Sequence, residues 1–358
     1  MDRAQHIARM RDTSAATVPL ITRAYGELCE DSYAIAAPLD RFVRMRSARD
    51  QPLLRPYLVR LAYEAAGGQN WRAIASACAA SEVLNISTYQ ANLAFDGKLG
   101  AVSQRDRSSQ FACSMLSLAL ASTLLRAVKA DPTTVADLQS DMLLVNSALY
   151  RGQLLDICVL TIPQLATTSD FSATYDLYYE RCRLLGGALT RWCFTVGAKL
   201  AGAASDTLDI LEQIGLLMGT AGQLLNDLGD FVEIPAGTVA VTNERYQGPF
   251  TDLATGKATL PLIVAFERRV DAVRTLAVRL AQGGCCKTDL RHCANLLHEA
   301  GCFEATKEEA KRIRRRVVAL IRTLPPSIHS DYLALASSTL ICNKYFTALR
   351  LQRSTTHA

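Results

Sequence analysis

Two stretches of this chain place acid and amide side chains one helical turn apart inside otherwise apolar sequence. The first runs Asn85-Ile-Ser-Thr-Tyr-Gln-Ala-Asn92-Leu-Ala-Phe-Asp96. Asn92 and Asp96 are four residues apart and so share a helix face, with Asn85 and Tyr89 continuing the stripe. The second runs Gly222-Gln223-Leu-Leu-Asn226-Asp227-Leu-Gly-Asp230-Phe-Val-Glu233, where Asn226 and Asp230 share a face and Gln223 and Glu233 lie on adjoining turns. Oxygen ligands without His or Cys suit a hard cation such as magnesium, which keeps several waters and is commonly shared with substrate phosphates. Two such clusters at the mouth of an apolar cavity would hold metal ions against a diphosphate and neutralise it as a C–O bond ionises. Either stretch alone reads equally well as a helix cap or a charged surface; their joint occurrence favours the metal reading.

The elements that must carry these groups are helical. A 3.6-residue apolar periodicity predicts helices over 17–30, 33–47, 53–66, 70–95, 107–130, 133–163, 170–203, 206–232, 257–282, 287–299, 304–323 and 330–351. Breaks fall at Gly67-Gly68, Asp131-Pro132, Pro163, Gly283-Gly284, Gly301 and Pro325-Pro326. The longest loop, about 234–256, has the length of a functional lid. Helices such as 111–128 are apolar on more than one face and must be enclosed by others, which predicts an all-α bundle or barrel of ten to twelve helices with a deep apolar interior. One domain over 1–358 is expected, with 1–16 and 352–358 as flexible ends.

Composition narrows the class. The chain has 358 residues, 49% of them apolar and 20% charged, enough for a large core. The net charge of +5 is spread out, and the basic run at Lys311, Arg312 and Arg314–Arg316 has no interleaved aromatics, so a solvated helix face is expected there and no nucleic-acid partner. The apolar run Cys113–Val128 is short and broken by serines and Arg126, which argues against a stable membrane span. The first residues do not have the form of a signal or transit peptide, so a soluble cytoplasmic protein is expected. Eleven scattered cysteines fit reduced, buried thiols, and the Cys285–Cys302 cluster lacks the spacing of a zinc knuckle.

The motifs taken together resemble the trans-prenyl diphosphate synthases. Asn226-Asp227-x-x-Asp230 after Gln223 is similar to that family's second aspartate-rich motif. Asp252-x-x-x-Gly256-Lys257-x-Thr259-x-Pro261 is similar to its Gly-Lys run. Arg55-Pro56, Glu82 and Gly152-Gln153-x-x-Asp156 match three further landmarks in order. The resemblance implies the isoprenoid synthase helical fold, magnesium (three ions with the diphosphate) and a prenyl diphosphate substrate. It also implies a homodimer packed through helices near the first motif. By the same resemblance Asn92, Asp96, Asn226 and Asp230 are catalytic metal ligands, with Asp227 a further one. Arg55, Gln223 and Lys257 meet the diphosphate, while Ser87, Thr88 and Tyr89 line the pocket for the hydrocarbon.

The departures from the family pattern shape the expected reaction. The first motif has lost its middle acid to Leu93, and Asn226 replaces an Asp in the second. Where the family places cations for isopentenyl diphosphate stand Pro52, Ala101-Val102 and Leu185-Gly186, with Arg105 and Arg107 out of register. A mostly kept allylic site beside a mostly lost second site implies a class I terpene cyclase, turning farnesyl diphosphate into a sesquiterpene. The alternatives are an elongating synthase, a prenyltransferase to another acceptor, or a non-catalytic subunit of a heteromeric synthase.

Overall fold

The computed structural model describes residues 3–29, 53–95, 104–231, 250–283 and 286–342. They form helices α1 (Arg3–Cys29), α2 (Leu54–Ala65), α3 (Ala75–Phe95), α4 (Gln104–Arg126), α5 (Pro132–Leu154), α6 (Ile162–Thr167), α7 (Phe171–Cys182) and α8 (Ala188–Leu200). Then follow α9 (Ser205–Gly229), α10 (Thr251–Ala254), α11 (Leu260–Glu267), α12 (Asp271–Ala281), α13 (Lys287–Glu299), α14 (Cys302–Ile321) and α15 (Ile328–Cys342). Among the described residues there is no strand, only an isolated bridge between Thr161 and Lys257, so the all-helical expectation is borne out. The helix expected over 33–47 and most of the 234–256 loop lie outside the described residues.

The chain divides into two compact units. One unit comprises Met1–Ser147, Ala188–Leu216 and Ala319–Ala336; the other comprises Ala148–Gly187, Leu217–Val318 and Ser337–Ala358.

In the first unit α1 begins at Arg3, where a flexible end over 1–16 is expected. Its inward stripe is His6, Met10, Thr13 and Thr17, all buried. Apolar periodicity passes over such a stripe because threonine and histidine carry it. The Thr13 and Thr17 hydroxyls donate back to the carbonyls of Arg9 and Thr13, each at 2.9 Å, so no polar group is stranded. Arg60 on α2 then clasps α1 through Asp12 at 2.8 Å while bonding Glu64 at 2.9 Å, and Arg9 also meets Glu64. Helix α4 is long and apolar enough by composition to cross a membrane, over Asp106–Arg126 with mean hydropathy 1.3. The core helix of a water-soluble protein passes the same test, and Ala121 and Leu125 of this segment are fully buried.

Helices α2 and α8 cross at Gly197, where a Cβ would stand 2.3 Å from the Val59 carbonyl oxygen and 2.7 Å from the Tyr63 nitrogen. Glycine to alanine in a helix ordinarily gains up to about 1 kcal/mol. Here the added methyl meets backbone, and overpacking costs about 1–3 kcal/mol. Gly197→Ala is therefore expected to lower the urea midpoint, whereas Gly222→Ala, which would meet nothing within 4 Å, should not.

In the second unit three long helical predictions are interrupted. The segment after α5 widens into a π-helical turn, Leu155–Val159, and the segment after α7 into another, Arg183–Gly187. The predicted helix 257–282 is two helices, broken at Arg268–Val270 with Arg269 in the left-handed region (φ 57°). Single-turn π segments of this kind recur at functional sites.

Candidate active site

The end of α9 presents its polar residues in two directions. Asn226 is exposed, whereas Asp227, one residue and about 100° further round the helix, is fully buried. Gln223, a turn earlier, donates to Asp227 Oδ1 at 2.9 Å. Tyr178 on α7 donates its hydroxyl to Asp227 Oδ2 at 2.8 Å, and Arg181 Nη1 reaches the same oxygen at 2.5 Å. Asp227, an expected metal ligand, gives its oxygens to Gln223, Tyr178 and Arg181 in the interior. A carboxylate buried this deeply must be paired.

Asp230 closes α9 and opens α10. Its Oδ1 accepts the Thr251 amide and its Oδ2 the Asp252 amide, each at 2.9 Å, so a carboxylate caps a helix N-terminus where the backbone dipole favours negative charge. Phe250, between them in sequence and space, takes the left-handed region (φ 74°) and donates its amide to the Asp230 carbonyl at 2.6 Å.

Lys257 follows Gly256, which has φ 76°. Residues 160–162 and 256–258 hold one another through Ile162 N to Gly256 O and Ala258 N to Leu160 O, both 2.8 Å. That pairing brings Lys257 Nζ to 2.5 Å from Asp156 Oδ2, in the π turn after α5, and 3.7 Å from Asp252 Oδ1. Asp156 Oδ1 in turn binds Arg181 Nη2 at 2.6 Å. The charges therefore alternate along Asp227, Arg181, Asp156, Lys257 and Asp252, and the Asp252 amide returns to Asp230, just past the end of the helix that carries Asp227. The series is a closed ring in which four carboxylates meet two cations.

Burial works against the charge of Arg181, but Asp227 and Asp156 outweigh it and hold the guanidinium well above its ordinary pKa. Burial pushes the Asp227 carboxyl up; Arg181 opposes this, while Asp252 and Asp156 add to it. Tyr178 is raised well above a free phenol, first by burial and then by Asp227.

Two glycines allow the ring to close. A Cβ on Gly152 would lie 2.9 Å from Leu184 Cβ and from Leu185 side-chain carbons, so α5 and the π turn after α7 touch there. A Cβ on Gly186 would lie 2.3 Å from the Gly219 carbonyl oxygen of α9. No side chain fits at 186 in this packing.

Of the expected site residues, the second unit brings together Gln223, Asn226, Asp227, Asp230 and Lys257. The others belong to the first unit. Arg55 donates from Nη1 to Thr190 Oγ1 on α8 at 2.8 Å. Asn92 is exposed on α3, and Asp96 lies outside the described residues. Ser87, expected to line a pocket, is turned instead into the seam between α3 and α4, donating to the Ser114 carbonyl at 2.8 Å. Thr88 is half-buried and bonds back to Asn85 O at 2.9 Å, and Tyr89 is half-buried beside it. Sequence reasoning missed Arg181 and Tyr178. Their signal is that Tyr178, Arg181 and Cys182 form a buried i, i+3, i+4 stripe with a charge in its middle.

Among the described residues no three His, Cys, Asp or Glu side chains are grouped to hold a metal by themselves. The exposed Asn226 amide and the neighbouring Asp230 carboxylate are oxygen donors of the kind that suit a cation which keeps its waters and is shared with phosphate oxygens, not an all-protein cage.

A polyprenyl synthetase family model matches residues 103–297. The geranylgeranyl diphosphate synthase of Mycobacterium tuberculosis is 30% identical over 200 residues, 55% of this chain and 54% of that one. The geranylfarnesyl diphosphate synthase of Aeropyrum pernix is 26% identical over 159 residues, 43% and 47% of the two chains. The chain thus spans about half the length of the curated relatives it matches. In fold it is similar to a polyprenyl synthase from Caulobacter crescentus, solved with calcium and isoprenyl diphosphate. The TM-score is 0.76 at 20% identity, over 94% of this chain and 98% of that one. The named relatives make prenyl diphosphates, which turns the expectation of sesquiterpene cyclisation toward its elongating alternative.

Proposed function

Because the chain belongs to the polyprenyl synthetase family, we propose that it is a prenyltransferase that joins an allylic prenyl diphosphate to isopentenyl diphosphate. The observation that carries this reading is the ring in the second unit. It knits the second acidic motif, the Gly152–Asp156 turn and the Asp252–Lys257 run into one body, which an unrelated helical protein would have no reason to build. Magnesium, when bound, would neutralise the departing diphosphate. Asn226 and Asp230 would hold it, and Lys257 would bind a phosphate oxygen.

Pro52, Ala101-Val102 and Leu185 favour a second reading, because a second diphosphate beside the first needs fixed cations to offset its repulsion. In that reading the enzyme ionises the allylic diphosphate and cyclises it. One incubation separates the two. With magnesium, geranyl or farnesyl diphosphate and radiolabelled isopentenyl diphosphate, label is expected in a longer prenyl diphosphate. Volatile hydrocarbon formed from farnesyl diphosphate without label uptake would overturn elongation in favour of cyclisation.

Self-association accompanies the proposal. Phe95, Phe111 and Met115 are exposed apolar residues of α3 and α4, with Phe95 edge-on to Phe111 at 5.8 Å. Light scattering is expected to give twice the 39.0 kDa of one chain, and a single-chain mass at all concentrations would refute it.

A further inference from the structure

We infer that Arg181 is a positioning residue that keeps Lys257 available to an anionic ligand by sharing the charge of Asp156. The inference rests on the proposed use of an allylic diphosphate. Asp156 divides its oxygens: Oδ1 meets Arg181 at 2.6 Å and Oδ2 meets Lys257 at 2.5 Å. A carboxylate with one cationic partner makes a closed pair that competes strongly for that cation. A carboxylate already neutralised by a second cation competes less, so Lys257 can be drawn toward a diphosphate at lower cost.

The geometry requires an arginine. Arg181 bridges two carboxylates on different elements, Asp156 after α5 and Asp227 on α9, using two nitrogens of one planar fork. An ammonium is a point charge and would serve one of them well. The carboxylates are almost wholly buried, Asp227 at 0% and Asp156 at 4% exposure, so water cannot take over when the guanidinium is removed. Lys257 would then be the nearest cation left to Asp156. The residue is not among the motifs that mark the family in this sequence, and it stands four positions before Leu185, where the family's lysine is missing.

The test is calorimetric titration with inorganic pyrophosphate in saturating magnesium chloride. Arg181→Met alone exposes the fold to an unpaired Asp227, so the working variant is Arg181→Met with Asp227→Asn, which leaves the ring's net charge unchanged. Pyrophosphate affinity is expected to fall at least tenfold in that variant and by less in Arg181→Lys. Adding Asp156→Asn removes the competitor for Lys257 and should bring affinity back to within threefold of wild type. A merely structural role predicts no such recovery. In turnover with an allylic diphosphate the same variant should raise KM more than it lowers kcat. The inference is overturned if the double variant binds pyrophosphate within twofold of wild type, or if adding Asp156→Asn weakens binding further. It is overturned as well by a wild-type chain that does not bind pyrophosphate. A wild-type chain that binds pyrophosphate, shows this pattern, and yet neither elongates nor ionises a prenyl diphosphate would sink the proposed function and leave the inference standing.

Discussion

Replacing Arg181 by methionine is expected to remove about 3–5 kcal/mol of folding stability, the usual cost of breaking a buried ion pair from one side. Two carboxylates depend on this guanidinium, at 2.5 and 2.6 Å. Methionine matches the stem of arginine in length, so packing changes little and the loss is electrostatic. In a chain of this size the melting temperature should fall by roughly 4–7 °C. Arg181→Met with Asp227→Asn should recover most of the loss, because an amide at 227 can still bond Tyr178 and Gln223 without a stranded charge. Urea unfolding of the two variants checks this. A single variant within 1 kcal/mol of wild type would mean that the ring is not the electrostatic core of the second unit.

Asn226→Ala is expected to lower turnover by about 10²-fold or more with the fold unchanged. The magnitude follows from the several kcal/mol that a positioned metal contributes to a developing diphosphate charge. The side chain is exposed at the end of α9, and surface substitutions usually change stability by less than about 0.5 kcal/mol. Asn226→Asp, which restores a carboxylate, should keep turnover and tighten the magnesium dependence. Asp96→Ala is expected to match Asn226→Ala. Undiminished turnover in the alanine variants, measured with magnesium and the allylic diphosphate accepted by the wild type, would remove these residues from the site.

Helices were legible in the sequence wherever leucine, alanine and valine marked the buried stripe, as on α9 and α13. They were missed where the stripe was written in other residues. The start of α1 hides behind His6, Thr13 and Thr17, whose burial depends on hydroxyls bonding back along the helix. The break at Arg269 was missed because an arginine, not a glycine, takes the left-handed conformation. The acidic segments were legible by spacing, but spacing alone assigns no direction. Asn226 and Asp227 are neighbours in sequence and opposite in role, and only the packing of α7 against α9 separates the outward amide from the inward acid. Arg181 was overlooked because a single charge in an amphipathic helix ordinarily faces water.

The contact between Gly186 and the Gly219 carbonyl bears on how this chain could change over generations. A threonine at 186 would put a branched side chain where the backbone of α9 already stands, 2.3 Å from the new Cβ. To make room, α9 would have to shift, and α9 carries Asn226 seven residues further on and Asp230 just past its end. That barrier concerns 186 alone: a single step from leucine to lysine at 185 does not meet the Gly219 carbonyl, so the contact closes the sequence to a side chain at 186 while leaving the neighbouring position open to change.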